Sequence, residues 1–71
     1  MNESQRDRVR PYWAALDLWK RSGQWVEGRT ALETMNAVNI ELGNMPTSFN
    51  CGACINELLK LTYNNYTNGK S

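Results

Sequence analysis

The stretch Val9-Arg10-Pro11-Tyr12-Trp13-Ala14-Ala15-Leu16-Asp17-Leu18-Trp19-Lys20-Arg21 decides the fold class. Val9, Tyr12, Trp13, Leu16 and Trp19 recur at the three- and four-residue intervals of one helix face. Glu3 and Asp7 precede the stretch, and Lys20 and Arg21 close it, as the helix dipole favours. Gly23 supplies a stop. Pro11 interrupts the pattern, and the residue before a proline is biased away from helix. The expectation is a break near residue 10, a helix over 11–21, and a loosely helical turn before it.

Ser22-Gly23-Gln24-Trp25-Val26-Glu27-Gly28-Arg29 reads as a linker, with two glycines around an apolar pair. A second helix is expected over 30–42. Thr30-Ala31-Leu32-Glu33 fits a capping box, and Ala31, Met35, Val38 and Leu42 form its apolar stripe, widened by Leu32 and Ile40. Gly43, Asn44 and Pro46 end it. A third helix is expected over 51–65, capped by Asn50 or Ser48. Cys51, Cys54, Ile55, Leu58, Leu61 and Thr62 share one face, while Leu18 and Leu59 lie off the main stripes. From about residue 66 the chain is polar and is expected to fray. No segment alternates apolar and polar residues over a strand's length. The sum is one all-α, three-helix domain spanning residues 1–71.

Composition narrows the function. Eight Lys+Arg against seven Asp+Glu leave a net charge of +1, which disfavours a strongly basic nucleic-acid module. There is no histidine, so histidine-based proton transfer and metal ligation are excluded. No apolar run approaches the roughly 20 residues of a membrane span, and no secretory signal is visible at Met1–Arg8. The expected location is the cytoplasm on synthesis, where thiols stay reduced.

Cys51-Gly52-Ala53-Cys54 is the constellation with chemistry. As a redox dithiol, its first cysteine would gain thiolate character from a helix N-terminus. The strand that usually precedes such a helix is missing from Met45–Phe49. As a metal site, the pair gives two of the four ligands that tetrahedral zinc needs, so a partner or second copy would supply the rest. As packing, both thiols continue the Leu58 and Leu61 face. The shared face favours packing, with Cys51 and Cys54 reduced and buried, and no cofactor is expected.

Arg6, Arg8, Arg10 and Arg21 ring a segment rich in aromatics. Nucleic acid is one partner for such a surface, but Trp, Tyr and Arg also dominate protein–protein hot spots. Trp25, in its glycine-flanked linker, is the expected anchor, with these four arginines as the polar rim.

Leu42 to Ile55, leading into Leu58, Leu59, Leu61 and Tyr63, resembles a pattern in small proteins of tailed bacteriophages. In these a polar loop enters Cys-x-x-Cys and then a hydrophobic helix ending in tyrosines. The resemblance covers residues 42–66. It implies a component of a virion or of its assembly, with no catalytic residues to carry over.

The sequence therefore points to a non-enzymatic structural or interaction module within a larger protein assembly. The alternatives are a zinc-bridged oligomer through Cys51 and Cys54 and a nucleic-acid-binding accessory protein.

Overall fold

Asn2 starts the first helix. Its side-chain oxygen accepts from the backbone N–H of Gln5 at 2.8 Å, and Gln5 Oε1 accepts from the Asn2 N–H at 2.9 Å. This reciprocal box satisfies two donors that would otherwise lack partners. Helix α1 runs Glu3–Val9, a 3₁₀ turn covers Arg10–Tyr12, and α2 runs Trp13–Ser22. Helix α3 spans Arg29–Glu41 and α4 spans Gly52–Asn68. The computed structural model describes residues 1–68, and no strand occurs among them. Taking α1, the 3₁₀ turn and α2 as one bent arm, the protein is a small all-α, three-helix domain. None of its described helices is long and apolar enough to cross a membrane.

The expected break near residue 10 takes the form of the 3₁₀ turn, but the segment before it is not the loosely helical turn expected. The turn before Pro11 is a regular seven-residue helix, and Arg10 keeps helical backbone angles (φ −51°, ψ −41°). Pro11 lacks an N–H to donate, so the chain tightens into one 3₁₀ turn and re-enters the helix at Trp13. Gly23 ends the arm in the left-handed region (φ 79°), where its N–H reaches the Trp19 carbonyl at 2.7 Å.

The capping box expected at Thr30 does not form. Gly28 occupies the N-cap of α3 without a side-chain bond. Thr30 therefore lies inside the first turn, and Glu33 pairs with Arg29 at 3.3 Å instead of reaching back to Thr30. Asn2→Ala should cost about 0.5–2 kcal/mol, whereas Thr30→Ala should change stability by less than about 0.5 kcal/mol. Urea melts of the two variants against the native chain test the assignment. A larger loss from Thr30→Ala would contradict it.

The connector between α3 and α4 sets their direction. Asn44 is tied to Asn39, the Thr47 N–H donates to Asn36 Oδ1 at 2.9 Å, and Arg29 lies over the Phe49 ring at 4.9 Å. Residues 42–51 thus run back along α3 towards its start. Helix α4 then sets off alongside α3 in the same direction, and Asn39 in the last turn of α3 meets Thr62 and Asn65 in the later half of α4. The bent arm closes the third side. Arg8 pairs with Glu41 at the end of α3, and Trp13 packs on Tyr63 and Tyr66 near the end of α4.

Val9, Leu16, Leu32, Met35, Val38, Leu58 and Leu59 form the buried core. Leu59 is fully buried and Leu18 is exposed, although the stripe pattern sets both aside as outliers. The core also takes in polar groups. Asn39 Nδ2 donates to the Met35 carbonyl and to Thr62 Oγ1, both at 2.8 Å, and Thr62 Oγ1 donates to the Leu58 carbonyl at 2.8 Å. A buried amide is tolerated because its donors have partners. This link fixes the register of α4 against α3.

Glu41 accepts from Arg8 at 2.5 Å and from Gln5 Nε2 at 3.1 Å, holding its carboxyl below the usual range. A depressed folded-state value favours the fold above the ordinary glutamate pKa. That contribution is lost as pH falls through the folded value.

The polar tail expected from about residue 66 is also corrected. Helix α4 continues through Asn68, and Tyr66 is half-buried against Trp13. The rest of that tail, residues 69–71, lies outside the described residues.

Candidate functional site

Two features on the surface of this core bear on function. The first is the start of α4. Cys51 is its N-cap: the Cys51 carbonyl accepts from the Ile55 N–H at 3.0 Å, and Cys51 Sγ accepts from the Cys54 N–H at 3.2 Å. Neither Asn50 nor Ser48 takes the capping role expected from sequence. A thiol serves because the connector is already anchored at Thr47 and Phe49, which fixes where the helix can begin.

Cys51 and Cys54 are both unbridged and half-buried, which corrects the expectation that they are buried. The face they share with Leu58 runs out of core at the first turn, where Gly52 and Ala53 are exposed. The two thiols are not equivalent. Hydrogen bonds from the Cys54 thiol and then from the Cys54 backbone N–H hold Cys51 below the usual cysteine pKa. The same thiol–thiol contact, with partial burial, pushes Cys54 up. Among the described residues no group of three or more His, Cys, Asp or Glu comes together, so the pair stands as two ligands at most within one chain.

The second feature is the turn after α3. Leu42 closes the helix and Gly43 follows in the left-handed region (φ 94°). The Asn44 N–H reaches the Asn39 carbonyl at 2.9 Å and the Gly43 N–H reaches the Ile40 carbonyl at 3.0 Å. This pair of bonds is a Schellman motif. Around it Ile40, Leu42 and Met45 are exposed, Met45 to 84%. Sequence periodicity counts Ile40 and Leu42 towards the core stripe, because it does not register where the helix leaves its neighbours.

The residues expected to form the interaction surface are distributed along the arm. Arg6 donates to the Tyr66 carbonyl and lies over the Tyr66 ring at 4.3 Å. Arg8 pairs with Glu41 at 2.5 Å, Arg10 with Asp7 at 2.5 Å and Arg21 with Asp17 at 3.0 Å. Arg6, Arg8 and Arg10 sit on the first part of the arm and Arg21 at its end. Along the bent arm, about 24 Å of helical path separates Arg6 from the start of the linker. Trp25 is half-buried against the core, and its Nε1 is buried without a hydrogen-bond partner.

Comparison with protein-family models, with curated proteins and with solved structures returns no match to this chain.

Proposed function

We propose that this protein is a non-enzymatic structural or interaction module, a small component of a larger protein assembly that docks through the apolar turn after α3. The observation that carries this reading is the concentration of Ile40, Leu42 and Met45 within six residues, on a turn fixed by its own backbone hydrogen bonds. Apolar side chains scattered singly over a surface need no explanation, whereas three exposed within six residues on one rigid turn support a docking role. The turn's geometry is already set, so docking would order little extra backbone. The Trp25–arginine surface supports the reading less, since each of the four guanidiniums already has a partner within the chain. That the assembly is a phage particle rests on the resemblance of residues 42–66.

Affinity capture from the native source, run side by side with the wild type and Met45→Asp, tests the proposal. A protein held by the wild type should be lost with Met45→Asp, by the roughly 2 kcal/mol or more that marks a hot spot, and kept by the exposed-site control Val26→Asp. Melting should be unchanged in both variants, because both side chains face solvent. Equal retention by wild type and Met45→Asp would exclude this turn as the docking site.

A further inference from the structure

Independently of any docking role, the first turn of α4 carries a reactive arrangement. Cys51 and Cys54 stand one helical turn apart, which places their side chains on the same side and within the reach of a disulfide after a change of side-chain rotamer. The Cys51 sulfur already points at the Cys54 backbone, with its Sγ 3.2 Å from the Cys54 nitrogen. Both residues are half-buried and neither is bridged to another group. The approach to Cys51 is open: Asn50, Gly52 and Ala53 are exposed, and a Cβ placed on Gly52 would meet nothing within 4 Å. Packing alone does not account for two thiols left partly in solvent at this position.

We propose that Cys51 and Cys54 form a reversible dithiol–disulfide couple that reacts with low-molecular-weight disulfides, with Cys51 as the attacking thiol and Cys54 as the resolving one. Cys51 gives up its proton to solvent, and its thiolate attacks one sulfur of the small disulfide. The S–S bond of that disulfide breaks, and the first small thiolate leaves and is protonated by solvent. Cys54 then loses its proton to solvent and attacks Cys51 Sγ, expelling the second small thiolate, which is protonated in turn. Two protein thiols have been oxidised by two electrons, and one small disulfide has been reduced to two thiols. Position fixes the order: Cys51 caps the helix, its Sγ accepts from the Cys54 N–H at the N-terminal end where thiolate is favoured, and the approach to it is open, so Cys51 attacks first. The α-helix is already formed around the pair, so oxidation closes a four-residue loop without remodelling the fold.

The test is equilibration of the purified full chain with reduced and oxidised glutathione, followed by acid quench, alkylation and intact mass. The expected product is a monomer that has lost both alkylatable thiols and two hydrogens, restored by dithiothreitol. Cys54→Ser should accumulate a glutathione adduct on Cys51, at least about tenfold faster than Cys51→Ser accumulates one on Cys54. Circular dichroism of each variant establishes that it is folded, and the wild-type mass measurement stands even if a variant is not. Disulfide-linked dimers in place of the internal bridge, or a wild type that stays reduced across the whole glutathione range, would overturn the proposal. Equal adduct rates in the two folded variants would overturn the assigned order of attack.

Discussion

Leu59→Ala is expected to remove about 3–5 kcal/mol of stability, while Leu18→Ala changes it by no more than about 0.5 kcal/mol. Leu59 has no exposed surface and belongs to the core cluster with Val9, Leu16, Met35 and Leu58. Truncating it forfeits the transfer free energy of three carbons and leaves a void that the surrounding helices fill only in part. Leu18 is 39% exposed on α2, so its truncation removes little buried area. A domain of this length holds only a few kcal/mol of net stability, so the first change should leave a substantial unfolded population in water. Urea denaturation followed by circular dichroism reads both values. The pair is discriminating, because hydrophobic periodicity treats the two leucines alike. Similar midpoints for the two variants would mean that α4 is rotated about its axis from the orientation described.

That pair shows what the sequence makes legible and what it leaves out. Helix existence is legible wherever apolar residues recur over three turns, as with Val9, Leu16, Met35, Val38 and Leu58, all buried. Helix ends are legible where one residue type is required by conformation, as with Gly23 and Gly43, both at positive φ. The start of α1 carries a signal too: Asn2 and Gln5 have the spacing of a capping box. The competing match at Thr30 and Glu33 has the same spacing and makes no such bond, because Arg29 takes up Glu33 and the helix begins earlier. Spacing is a necessary condition for a cap and does not choose between two candidates. Buried Asn39 is invisible to any polarity pattern, since its burial depends on Thr62, more than twenty residues along the chain, meeting it across the interface. The half-burial of the two cysteines is likewise a property of where α4 leaves its neighbours. The exposure of Met45 in the turn after α3 is hidden for the same reason: it is decided by the path of the connector along α3, which no local pattern encodes.

The tail supplies the other large effect. Composition alone makes residues from about 66 onward a fraying end, yet Tyr66 stacks on Trp13 with ring centroids 4.6 Å apart and planes inclined by 18°. Trp13 also stacks on Tyr63 at 5.3 Å and 24°, and Arg6 and Lys20 from the same arm lie over the Tyr66 and Tyr63 rings at 4.3 and 5.5 Å. One indole on the arm thus meets two phenol rings, one turn apart on α4. Cations from the arm cover both phenols. Trp13→Ala is therefore expected to cost about 3–4 kcal/mol. The lost apolar burial is the larger part, and each stacked pair adds about 0.5–1.5 kcal/mol beyond its area. A double-mutant cycle with Tyr66→Ala separates the specific contact from general packing and should give a coupling of about 0.5–1.5 kcal/mol. A fraying tail gives a different pattern: Tyr66→Ala would then be silent and the coupling zero. Trp13→Phe, which keeps a ring between the tyrosines, should recover at least half of the loss. Without that recovery, Trp13 contributes by volume alone, and the stack is a consequence of the fold, no longer one of the contacts that hold the arm to α4.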